Sequence, residues 1–242
     1  MTEAEAKALL AAACDFQARS LKGRTACSEE YRRKESNEHN VLRILIDGQI
    51  ASIANRFSNQ IVVTDERISY QLAIVTSYIR SHFLINDLIM GGDIIEALTV
   101  IRRQIEALAR LNEVDSQPLQ TLFGRTPNVK NILNQGSGPL YGYLSEVAHS
   151  SSPRLSTLLG IVSDPKRIGA SLIPVFSDSV APAFEVHWFF ALHFLAWVIE
   201  KLALWHPEYD NTDDKRLLGE ALLLAVQLDV LRNPQAGPET SR

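Results

Sequence analysis

A doubled glycine followed by an aspartate, Gly91-Gly92-Asp93, separates two long apolar-periodic segments and constrains the fold more than any other feature of the chain. After it, Ile94, Leu98, Ile101, Ile105 and Leu108 recur at alternating steps of four and three, which forms one continuous stripe along an α-helix. Before it, Ile68, Leu72, Ile74, Val75, Ile79 and Leu84 fall at near-helical intervals. Thr64-Asp65 caps that segment and predicts a helix from about Glu66 to Met90. Asp93 is the expected N-cap of the helix that follows. Helices joined by so short a turn must fold back on each other, so antiparallel helical hairpins are the expected building unit.

The rest of the chain reads the same way. Thr2 followed by Glu5 is a capping-box pattern opening a helix to about Leu21, with Leu9, Leu10, Cys14 and Phe16 as its apolar side. A second helix is expected from near Ser28, broken near Ser36, to about Phe57, with Ile44, Ile46, Ile50 and Ile53 as apolar residues. Ile61-Val62-Val63 is a short β-branched run. From Asp115 to Pro139 the chain is looser, holding Pro118, Gly124, Pro127, Gly136 and Gly138, with a short helix near Val129 to Leu133. Pro139 opens another helix at its favoured first position, and Ser150-Ser151-Ser152-Pro153 ends it. A small helix near Arg154 to Ile161 leads into an irregular region with Gly160, Pro165, Gly169, Pro174 and Pro182. Helices are expected at Ala183–Trp205 and Asp213–Leu231. No alternation is long enough to demand a sheet. The prediction is an all-α, single-domain helical bundle over residues 1–232 with a disordered polar tail at 233–242.

At 242 residues such a domain buries roughly 70% of the surface its unfolded chain exposes, so no disulfide or metal is needed to hold its core. A net charge of −4 gives no global pull toward nucleic acid or an anionic membrane, which leaves nucleic acid an open partner rather than an indicated one. The basic cluster Arg19, Lys22, Arg24, Arg32, Arg33 and Lys34 is interleaved with Glu29 and Glu30 and followed by Glu35 and Glu38, as on a solvated mixed-charge face. Cys14 and Cys27 form no metal or disulfide spacing, and Cys14, in an alanine-rich helix, reads as a small buried hydrophobe. The acidic start, Met1 to Glu5, lacks an export pattern, so a cytoplasmic location is expected. Ala183–Trp205 is strongly apolar, but Glu185, His187, His193, Glu200 and Lys201 punctuate it; a buried central helix is expected, not a membrane span. Its aromatic residues read as core, with His187 and His193 as hydrogen-bonded core histidines.

Two polar patterns stand out against this background. In the helix after Gly92, Arg102 and Glu106 lie one turn apart on the same flank of the apolar stripe, with Arg103 and Arg110 turned to the far side. An intrahelical ion pair is one reading; Arg before Glu is the weaker order, which favours a tertiary role for one of them. In the later helix, Leu140, Leu144 and Val147 form a core face while Tyr141, Ser145 and His149 line up at i, i+4 and i+8. Serine back-bonding and a histidine at a helix C-terminus account for that stripe in structural terms. A polar wall facing a cleft, with His149 available for proton transfer, accounts for it functionally.

These two segments resemble a widespread bacterial family of helical proteins whose function is unknown. The matching residues are Glu96-Ala97-Leu98, Arg102 and Glu106, then Tyr141, Leu144, Ser145 and His149, and the likeness spans roughly residues 66 to 205. It implies a helical bundle in which these polar residues are drawn together, and it carries no activity. Some proteins of this general look resemble the HEPN superfamily, many of whose members are RNases using Arg, four to six residues, then His. That pattern is missing before His149, where Gly142, Tyr143 and Leu144 stand. Arg33 and His39 meet the spacing, but seventeen arginines and six histidines produce about one such match by chance. Glu146 and His149 have the Glu-x-x-His spacing of di-iron bundles, yet those need two such motifs, so no metal and no cofactor is expected. Phosphate loops, dinucleotide-binding glycines and serine nucleophile elbows are absent.

Two functional expectations follow. One is binding of a small molecule or protein partner through a polar cleft, with Tyr141 and Ser145 as contacts and stress or phage defence as the setting the resemblance suggests. The other is a HEPN-like nuclease or other hydrolase, with His149 as acid–base group, Arg102 as anion holder and Glu106 beside it. A homodimer is expected because antiparallel hairpins often complete their core with a second copy.

Overall fold

In the computed structural model the described residues are 1–57, 65–132, 137–164 and 167–231. They form an all-α bundle of eight helices with one small two-stranded hairpin. The helices are α1 (Glu3–Lys34), α2 (Asn37–Phe57), α3 (Glu66–Met90), α4 (Ile94–Ser116), α5 (Ser137–Ala148), α6 (Leu155–Leu158), α7 (Val180–Trp205) and α8 (Thr212–Gln227). The Ile61-Val62-Val63 run and the 233–242 tail lie outside the described residues.

The α3–α4 hairpin is the one the glycines predict. Gly92 adopts φ +82°, a conformation that suits a residue without Cβ, and the five stripe residues of α4 from Ile94 to Leu108 are all buried. Asp65 caps α3, its side chain accepting from the Arg67 N–H. Asp93 departs from expectation: its carboxylate does not cap α4 but pairs with Arg24 of α1, because α1 passes directly over the turn. Leu84, the last of the apolar residues at near-helical intervals, is exposed; Gln71, Tyr78 and His82 are buried with Val75 in the inner face.

α1 differs most from its sequence reading. The capping box at Thr2 and Glu5 forms, but the helix runs unbroken through Leu21 and Ser28 to Lys34. Nothing in Lys22–Cys27 breaks a helix except Gly23, and its bare backbone lies against Ile173 and Pro174, where a Cβ would come within 2.6 Å of both. The basic last turn, Arg32-Arg33-Lys34, suits the negative pole of the helix. Cys14 is exposed, not buried, and so are Leu9, Leu10 and Phe16, since no other described element covers this part of α1. In α2, Ile46, Ile50 and Ile53 are buried as expected while Ile44 faces out.

α7 is the central helix, in contact with α2, α3, α4 and α8. It is long and apolar enough to cross a membrane by composition, yet Phe184, Trp188, Phe190, Phe194, Leu195 and Val198 are all buried against those neighbours. Tyr78 stacks on Phe194 with ring centres 4.0 Å apart. Asp115, at the end of α4, ties three helices together by accepting from Gln71 of α3 and from Trp197 and Lys201 of α7. Nearby, buried Asp214 of α8 accepts from Arg56 of α2 at 2.6 Å.

The connection between α4 and α5 has 3-10 turns at Leu119–Thr121 and Val129–Asn131. Arg110, read from sequence as far-side surface, is buried and organises this loop: its guanidinium donates to the carbonyls of Leu122, at 2.8 Å, and of Arg125. α5 begins at Ser137, two residues before Pro139. The irregular stretch after α6 holds the antiparallel strands β1 (Ile161–Asp164) and β2 (Arg167–Ala170), with Ile161 opposite Ala170, an element no periodicity announced.

Candidate functional site

α4 and α5 pack antiparallel, with Leu144 and Val147 fully buried between them, and that packing sets the two polar stripes edge to edge. The Tyr141 hydroxyl donates to Glu106 Oε1 at 2.7 Å and accepts from Arg102 Nη2 at 3.2 Å. Arg102 also pairs with Glu106 directly, at 3.4 Å. Its other terminal nitrogen, Nη1, lies 3.5 Å from His149 Nε2. Four residues separated by up to 47 positions in sequence thus form one connected polar cluster. Ser145, the other predicted site residue, is half-buried one turn before His149; its backbone carbonyl accepts the His149 N–H at 3.0 Å as an ordinary helical bond.

The cluster has a fixed side and an open side. Arg102 and Glu106 side chains are 23% and 26% exposed, while His149 is exposed just past the end of α5, where Ser150 turns the chain with φ 55°. Burial raises the Tyr141 hydroxyl above its ordinary range; the bond from Arg102 opposes this and the Glu106 carboxylate reinforces it. Tyr141 therefore remains a hydroxyl at neutral pH and relays between cation and carboxylate. The guanidinium is held by its Nη2 edge and sits over the Tyr141 ring, 5.3 Å from its centre. Its Nη1 edge is left toward His149 and solvent.

Glu106 also lines a cavity of about 420 Å³ on the other flank of α4, between α3 and α4, with Tyr70, Ser77, Arg103, Gln104 and Arg110. Arg102, Tyr141 and His149 do not line it. The cluster is a surface crevice between α4 and α5 joined to that cavity through one carboxylate. Among the described residues no group of three or more His, Cys, Asp or Glu side chains has the arrangement of metal ligands, and Glu146 is exposed.

A second polar cluster, absent from the sequence reading, lies in the core. His82 Nε2 is 2.7 Å from Asp47 Oδ1, which also accepts from Asn86 at 3.0 Å. The His187 ring stands 4.4 Å from that of His82. His187 was expected to be a hydrogen-bonded core histidine, but neither of its ring nitrogens has a well-formed hydrogen bond among the described residues; His193 does have one, to the Phe189 carbonyl, at 2.8 Å. His82 and Asn86 share α3 at i and i+4, but Asp47 comes from α2 and His187 from α7, and no spacing within one helix could reveal that they meet.

No known protein family, no characterised protein and no solved structure matches this chain.

Proposed function

We propose that the α4–α5 crevice binds a small anionic ligand, a carboxylate or phosphate, with Arg102 as the anion holder and Tyr141, Ser145 and His149 framing it. The observation that carries this reading is the asymmetric use of the Arg102 guanidinium. One edge is fixed by Tyr141 and Glu106, while the other meets only the exposed imidazole of His149 at the outer limit of hydrogen bonding. An incoming oxyanion replaces that long contact with charge-assisted bonds from a donor already oriented. The resemblance of these motifs to the bacterial helical family of unknown function suits this reading, and a role in stress or phage defence rests on that resemblance alone.

Inorganic phosphate and acetate are the probes. Titrating either into histidine-labelled protein is expected to shift the His149 ring resonances at millimolar concentration, and Arg102→Gln is expected to abolish the shift while the protein stays folded. A His149 signal that does not move, or moves equally in Arg102→Gln, would falsify the reading.

The exposed imidazole beside a guanidinium also supports a hydrolase, HEPN-like in the nuclease form, in which His149 exchanges a proton with a substrate that Arg102 anchors and Glu106 helps to orient. Single-stranded RNA and an activated phosphodiester are its substrates for test. Turnover is expected to fall about 100-fold in His149→Ala. No turnover above background, or turnover indifferent to that substitution, removes the hydrolase reading and leaves the binding reading standing.

A further inference from the structure

We propose that the first turns of α1, Glu3 to Lys22, are an interaction surface for a second copy of this chain, the two segments packing antiparallel. From Gly23 onward α1 is anchored to the bundle: Gly23 against Ile173 and Pro174, Arg24 on Asp93, Ser28 on the Met90 carbonyl, Tyr31 against Phe184. Upstream of that point every residue is exposed except Ala6 and Ser20, which are half-buried. Twenty helical residues project about 30 Å.

A solvated arm would be polar all round, and this one is not. Leu9, Leu10, Phe16 and Leu21 are 63%, 65%, 43% and 66% exposed. Leu9, Ala13, Phe16, Ser20, Gly23 and Cys27 step by four and three along a single line, and Cys27 at its lower end is buried in the bundle. The arm thus continues, into solvent, the same face that packs downstream. A helix of this length is marginal in water by itself, and the exposed intrahelical pairs Lys7–Glu3 and Arg19–Asp15 add little.

Charge selects the occupant and its direction. The first half of the arm holds Glu3 and Glu5 against Lys7, one net negative charge, and the second half Arg19 and Lys22 against Asp15, one net positive charge. Two copies laid antiparallel bring each acidic end onto the other's basic end, and oppose their helix dipoles favourably. Centred on Ala12 and Ala13, that arrangement places Leu9 of each copy against Phe16 of the other, with Glu5 beside Arg19 on one flank of the stripe. The alanines at the crossing let the backbones approach, and the large side chains pack on either side. A parallel pair would align acid with acid and base with base.

The test uses the full chain. Sedimentation across micromolar concentrations is expected to show a reversible dimer, and Leu9→Glu with Phe16→Glu a monomer of nearly the same helical content that still unfolds cooperatively. Direction is read by crosslinking in a Cys14→Ser background, where Cys27 is buried and unreactive. Glu5→Cys mixed with Arg19→Cys is expected to form mixed disulfides, and neither variant alone to link efficiently to itself. A wild-type monomer at every concentration overturns the proposal, as does a dimer that survives the double substitution. Preferential self-linking of each cysteine variant overturns the antiparallel pairing. Binding of phosphatidylglycerol vesicles by a protein that stays monomeric would assign the arm to a membrane surface instead.

Discussion

The Tyr141 hydroxyl is the residue on which the α4–α5 cluster turns, because it alone touches both the cation and the carboxylate. Tyr141→Phe keeps the ring under Arg102 and removes two hydrogen bonds at a partly wet site. Chemical denaturation is expected to show a loss of about 1 kcal/mol. Affinity for the phosphate probe should also fall, since Arg102 is then free to collapse onto Glu106. His187 makes the opposite case: a polar residue whose removal should cost nothing at neutral pH. Burial holds its imidazole well below the ordinary histidine range, with His82 adding to the depression. In the unfolded chain that ring protonates near pH 6.5. Below about that pH the unfolded state takes up a proton that the native state refuses, so stability present above pH 6.5 is lost as pH falls, at about 1.4 kcal/mol per pH unit. His187→Leu is expected to leave stability at about pH 7.5 unchanged or improved and to remove this part of the decline toward about pH 5.5. Urea unfolding at both values checks it; an unchanged decline in the variant refutes it. At this scale the sequence was half legible. Arg102, Glu106, Tyr141 and His149 could be named because each pair lies along one helix or the turn that ends it, where spacing reports a shared face. Asp47, His82 and His187 could not, because their proximity exists only across three helices.

Among the elements, the bounds and the turn of the α3–α4 hairpin were readable. The α4 stripe is strict and the turn is two glycines, while on α3 only Val75 of the expected apolar residues is fully buried and Gln71, Tyr78 and His82 share its inner face. The turn itself is tightly used: a Cβ on Gly92 would stand 2.9 Å from Cys27 Sγ of α1, at a φ that side chains disfavour. Gly92→Ala is expected to cost about 1–3 kcal/mol, seen as a fall of several degrees in Tm. The Asp93 cap failed as a prediction for the same reason, since α1 crosses at that point and Arg24 takes the carboxylate. Loop structure was less legible, because the loop from Gln117 to Asn128 takes its shape from Arg110, a charged residue inside a helix whose wheel position looked peripheral. Arg110→Met is expected to free the Arg125 carbonyl and speed tryptic cleavage after Arg125 roughly tenfold, the effect of about 1.4 kcal/mol on loop opening. Equal cleavage rates in the two proteins would show that the loop holds itself.

For the whole molecule, an all-α bundle around α7 follows from burial. Val180–Trp205 is apolar on nearly all sides, and a helix of that kind must be surrounded, here by α2, α3, α4 and α8. The arm of α1 is the part of the molecule this rule leaves uncovered. If two copies cover it, the folded dimer draws stability from concentration, and Tm is expected to rise with protein concentration in wild type but not in Leu9→Glu with Phe16→Glu. A Tm independent of concentration in both would leave the arm uncovered. Sequence alone determined the helical class, the α3–α4 hairpin and the candidate residues within each helix, because local periodicity and capping act over one or two turns. Tertiary packing decided that α1 is one long helix with its upper turns bare. It also decided that Arg110 and Asp115 are structural, and that Arg102 and His149 face each other, because those outcomes depend on which distant helix arrives alongside.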